Sequence, residues 1–98
     1  MVIERVELSV VPGQEESFEA AMQHGLVLLG GADGCLSVSL ARGVERASHY
    51  LLQLHWRSID HHTAFTKTGA FSEFRQLAGP HFAERPAVEH FRPVCIPS

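Results

Sequence analysis

Ninety-eight residues suit a single domain. A chain of that size hides roughly 60–70% of its unfolded surface, so its core is thin and a partner copy is a common source of added stability. The net charge of −3 and the scatter of 8 Lys and Arg argue against a nucleic-acid partner. No run approaches the ~20 apolar residues of a membrane helix, and Glu4 and Arg5 interrupt any leader-like apolar run. A cytoplasmic globular domain spanning 1–98 is expected. Cys35 and Cys95 are too few for a disulfide scaffold or a zinc cluster and are expected to be reduced.

The first element alternates. Val6, Leu8 and Val10 share one side and Arg5, Glu7 and Ser9 the other, which predicts a strand with one apolar face. Pro12-Gly13 stops it. Glu15 and Glu16 then place acidic groups where a helix N-terminus favours them. Phe18, Ala21, Met22, Gly25, Leu28 and Leu29 recur at helical spacing, and Gly30-Gly31 predicts a left-handed C-cap. Gly34 opens a second strand, in which Leu36, Val38 and Leu40 alternate with Ser37, Ser39 and Ala41. After a turn at 43–47, a third strand starts at Ser48. Tyr50, Leu52, Leu54 and Trp56 share its apolar face; His49, Leu51, Gln53 and His55 share the other. The short connection predicts a hairpin.

Ser58 caps the next helix, which has Asp60 in its first turn and presents Ile59, His62 and Phe65 on one side. Thr68-Gly69 breaks it. Residues 70–78 resume helix with Phe71, Phe74 and Leu77 or Ala78 inward, and Gly79-Pro80 ends it. A last strand over 87–94 alternates Val88, His90, Arg92 and Val94 against Glu89, Phe91 and Pro93. Strand, helix, strand, strand, broken helix, strand is the ferredoxin-like α+β unit. It has a four-stranded antiparallel sheet with helices on one face only. The other face, polar but not strongly charged, suits a homodimer packed sheet against sheet. Strand order 4-1-3-2 sets Cys35 and Cys95 on opposite edges, so no disulfide joins them.

These markers, in this order, resemble the antibiotic biosynthesis monooxygenase family of dimeric α+β barrels. They are Pro12-Gly13-x-Glu15-x-x-Phe18, Gly34-Cys35-Leu36, Trp56-x-Ser58, His62 with Phe71 and Phe74, and Val88-Glu89-His90-Phe91. The resemblance implies a substrate cavity between sheet and helices. Tyr50, Leu52, Leu54, Phe65, Phe71 and Phe74 would wall it, beside Trp56 and His90. It also implies a cofactor-independent monooxygenase acting on a small aromatic or quinol-type compound, with no cofactor and no metal. His62 would be the base, because a neutral imidazole in an apolar cavity can take a phenolic proton. The alternative is a non-catalytic homodimer that binds a small hydrophobic ligand or serves in stress.

Other residues are weighed against blander roles. Trp56 reads mainly as packing with its N–H satisfied, Arg75 as solvated or salt-bridged, and His61, His24 and His81 as surface or loop groups. His49 and His55 share the outer face with Glu7, but no motif spacing groups them as metal ligands. Haem-degrading relatives carry a helix tryptophan, a ligating histidine and a strand asparagine where this chain has Phe65, Arg75, and Glu7 or Ser9. Haem chemistry is therefore not expected.

Overall fold

In the computed structural model, which describes residues 1–95, the elements follow the expected order. They are β1 (Val2–Ser9), α1 (Glu15–Gly30), β2 (Cys35–Arg42), β3 (His49–Trp56), α2 (Ile59–Phe65), α3 (Gly69–Ala78), a 3-10 turn (Gly79–His81) and β4 (Ala87–Phe91). The sheet order is β2-β3-β1-β4 with every pairing antiparallel. This is the ferredoxin-like arrangement. No helix among the described residues is long and apolar enough to cross a membrane.

Alternation decides which face is buried. Val6, Leu8, Tyr50, Leu52, Leu54 and Trp56 point to one side and meet Phe18, Met22 and Leu29 of α1 and Phe65, Phe74 and Ala78 of the broken helix. Gly25 lets α1 approach α3: a Cβ there would lie 3.1 Å from the Met22 sulfur and 3.4 Å from the Phe74 ring. Both halves of the broken helix are capped by side chains. Ser58 Oγ accepts from the His61 N–H at 3.3 Å, and Thr68 Oγ1 accepts from the Phe71 N–H at 3.2 Å.

Four local expectations change. Gly31 has φ −84, so α1 ends without a left-handed residue; the positive φ of +83 falls at Gly34 instead. The β2–β3 register slips between Cys35 and Ser37. This bulge turns Cys35 toward the core and leaves Leu36 50% exposed, against its place in the apparent alternation. His61 is half-buried rather than solvent-facing, with its ring against Gly34. Regular pairing of the last strand stops at Phe91 rather than continuing to Val94. Cys35 and Cys95 are both free.

Candidate functional site

Between the inner face of the sheet and the α2–α3 pair lies a cavity of about 670 Å³. Val6, Leu52, Leu54 and Trp56 form its sheet side. Phe65, Phe71 and Phe74 form its helix side, and Val88 of β4 flanks it. Phe71 stands edge-on to Phe65, with centroids 5.6 Å apart. Lys67, Arg75 and Gln76 line its exposed part, and the Arg75 guanidinium lies 5.8 Å over the Phe71 ring. The aromatic wall gives shape, while the few polar groups supply the chemistry.

Glu4 and His62 bring that chemistry to the cavity wall. Glu4 is 7% exposed and is the one charged residue buried among those described. Its Oε1 accepts the Trp56 Nε1–H at 2.9 Å, and its Oε2 lies 3.4 Å from His62 Nε2. His62 Nδ1 lies 2.8 Å from His90 Nε2. The Trp56 indole stacks on the His62 ring, with centroids 5.2 Å apart and planes 23° apart. Four elements therefore meet at one point. β1 supplies Glu4, β3 supplies Trp56, α2 supplies His62 and β4 supplies His90. Register makes this possible, because Glu4 pairs directly with His90 across β1 and β4.

The partners assign the protons. A carboxylate facing His62 Nε2 places the imidazole hydrogen there and leaves a lone pair on Nδ1, which accepts from the His90 Nε2–H. Burial holds the His62 pKa below its ordinary value; His90 lowers it further, and Glu4 opposes both. His62 thus stands as a neutral, acceptor-competent imidazole on the wall of an apolar cavity. One donor atom each from Glu4, His62 and His90 also lies within 4.8 Å of the other two.

The expected residues divide by place. Leu52, Leu54, Trp56, Phe65, Phe71 and Phe74 all line the cavity with His62, and His90 joins through His62. Tyr50 does not line it. At the far end of β3 it packs edge-on to Phe18 with centroids 4.9 Å apart, and its hydroxyl donates to Glu19. There it borders a separate depression of about 230 Å³ with Glu19, Met22 and Arg42. Burial and the Glu19 carboxylate push its phenol up to about 12, far from a role as acid or base near neutrality.

The remaining histidines lie elsewhere. His49 Nε2 is 3.3 Å from Glu7 Oε1 on the outer face, and His55 sits 3.3 Å from Gln53 Nε2. His24 pairs with Glu73 and His81 with Gln14. Sequence reasoning missed Glu4. Its signal was present, since Glu4 is in phase with Val6, Leu8 and Val10 and so sets a carboxylate on the apolar side of β1.

Known proteins resemble this chain over most of its length. A family model described as antibiotic biosynthesis monooxygenase matches residues 1–77. The uncharacterized protein YczJ of Bacillus subtilis is 30% identical over 95 residues, spanning 96% of this chain and 100% of that one. A solved structure from Bordetella bronchiseptica, provisionally described as an antibiotic biosynthesis monooxygenase, is similar with a TM-score of 0.90 at 36% identity. The match covers 96% of this chain and 97% of the other. A provisionally named counterpart from Nitrosomonas europaea has a TM-score of 0.86 at 15% identity, with 97% and 100% covered. That last likeness speaks to fold alone.

Proposed function

The chain belongs to the antibiotic biosynthesis monooxygenase family, and from that premise we propose that it oxygenates a small aromatic or quinol-type compound, with His62 as the base. The observation that carries this reading is the Glu4–His62–His90 array at the wall of the aromatic cavity. A substrate hydroxyl takes the place of the His90 N–H at His62 Nδ1. His90 yields readily, because it is exposed and its only side-chain hydrogen bond among the described residues is to His62. Glu4 then faces the imidazolium as its counter-charge, held in place by the Trp56 N–H.

Deprotonation leaves an electron-rich ring anion. The anion passes one electron to O2, and the resulting radical pair joins at a ring carbon as a peroxide anion, which takes the proton back from the His62 imidazolium to become a hydroperoxide. The peroxide O–O bond then breaks as that carbon loses its remaining hydrogen. One oxygen atom stays as a carbonyl and the other leaves as water. A CH2 carbon becomes C=O, O2 takes up four electrons, and no external reductant is consumed. The protein's part is to bind the ring, take the proton and keep water from the intermediate.

The reading includes a homodimer in which a second copy covers the outer sheet face. Oxygen uptake with a panel of quinols and anthrones tests the chemistry. We expect turnover with at least one member of the panel and a fall of about 10²-fold or more in His62→Ala. Unchanged turnover in that variant would sink the mechanism. The non-catalytic alternative, a dimer that holds a small hydrophobic ligand, predicts ligand-induced thermal shifts with no oxygen consumed.

A further inference from the structure

We infer that Glu4, His62 and His90 form a binding site for one divalent first-row transition-metal ion, with its open positions facing the aromatic cavity. The inference goes beyond the oxygenase reading and stands without it.

The donor set comes first. Two imidazoles and one carboxylate converge from three separate elements, and one donor atom from each lies within 4.8 Å of the others. Such a set leaves several coordination positions free. Its imidazole nitrogens suit zinc, iron, cobalt or nickel better than magnesium or calcium.

Geometry comes second. Metal–ligand bonds of about 2.1 Å put neighbouring donor atoms about 3.0–3.4 Å apart. Glu4 Oε2 and His62 Nε2 stand 3.4 Å apart already. His90 must turn inward, and it can: its side chain is exposed on β4 and bonds only to His62 among the described residues.

The surroundings come third. Trp56 Nε1 holds Glu4 Oε1, so Oε2 is left as a single aimed donor. This is the outer hydrogen bond that orients a ligating carboxylate. The exposed His90 side supplies an entry path. Toward the cavity, the open positions could take a phenolate oxygen from a bound aromatic ligand. Metal and substrate proton compete for the His62 imidazole, so the metal-loaded protein is a different state from the one in which His62 acts as base.

The experiment uses the full chain after chelator treatment and dialysis, titrated with Co2+. Two signals report: the visible Co2+ bands and the fluorescence of Trp56, the protein's one tryptophan, which touches Glu4 and stacks on His62. Saturation at one Co2+ per chain is expected, with displacement by Zn2+. His62→Ala, His90→Ala and Glu4→Gln should each weaken binding by tenfold or more. His24→Ala, at an exposed site paired with Glu73, should leave it unchanged.

His90 is exposed and Glu4→Gln preserves shape, so these variants do not depend on rebuilding the core. Absence of saturable binding overturns the site, as does binding that survives His90→Ala or is lost only in His49→Ala. Cobalt binding, together with no oxygen uptake by the metal-free protein across the quinol and anthrone panel, would overturn the oxygenase reading alone. Turnover without cobalt binding would overturn this inference alone.

Discussion

At the residue scale, the environment of His62 has a sign that can be worked out. Its ordinary value is 6.5, and burial with His90 holds the folded value lower. In the window just below pH 6.5 the unfolded chain takes up a proton that the folded chain resists. Folding stability therefore falls as the pH drops through that window, and it is insensitive to this group above it. The same depression keeps the base neutral into mildly acid solution. In chelator-treated protein, a histidine-ring NMR titration should place the His62 midpoint below 6.5. His90→Ala removes a lowering charge and admits water, so the midpoint should rise. Glu4→Gln removes the opposing charge, so it should fall. A rise in Glu4→Gln would contradict the pairing seen here.

Tyr50 shows how place decides the role of a residue. It shares the apolar face of β3 with Leu52 and Leu54, and alternation alone makes the three equivalent. The helices covering each end of the strand make them different. Phe18 and Glu19 of α1 meet Tyr50, whereas α2 and α3 stand off from the Leu52–Trp56 end and leave the cavity.

At the element scale, the β3-to-α2 junction depends on Gly34. That residue has φ +83, and a Cβ on it would fall 2.3 Å from the His61 ring. His61 cannot easily give way. Its Nδ1 lies 2.7 Å from the Ser58 Oγ, and its backbone N–H donates to the same oxygen. The Gly34 carbonyl also accepts from the Arg57 N–H at 2.7 Å, tying the start of β2 to the end of β3. Gly34→Ala therefore meets a strained backbone and a steric clash together. A loss of about 2–3 kcal/mol is expected in urea denaturation at unchanged m-value. A loss under about 0.5 kcal/mol would mean that the junction relaxes at little cost. The junction matters to the site because α2 carries His62 three residues beyond Ile59, where the helix begins.

At the scale of the whole molecule, helices cover one face of the sheet and leave the other open. Arg5, Ser37 and Ser39 are exposed there, and Glu7, His49, Leu51, Gln53 and His55 are half-buried. The homodimer proposed above would cover this face. A standard interface buries about 800 Å² per partner. Sedimentation should give about twice the chain mass of 10.8 kDa. Leu51→Glu, which places a charge on the central strand β3, should shift the equilibrium toward monomer. A monomer at micromolar concentration in the parent protein would rule the dimer out.

Much of the architecture was legible because it follows from local periodicity. Period-two alternation in β1 and β3, helical spacing from Phe18 to Leu29, and the breaks at Pro12-Gly13, Thr68-Gly69 and Gly79-Pro80 each act within a few residues. Together they determine the order of elements, the antiparallel sheet and the placement of His62 and Phe65 on the inner side. The bulge at Leu36 and the location of positive φ at Gly34 rather than Gly31 were not legible, because each depends on a neighbouring strand or helix. The site lies further still from local reach. Glu4, Trp56, His62 and His90 come together only when β1 lies between β3 and β4 with α2 packed above, and their distances depend on register across the sheet. Periodicity tells which way a side chain points. Only the folded chain decides what it meets there, because the contacts of the site join residues as distant in sequence as Glu4 and His90, 86 positions apart.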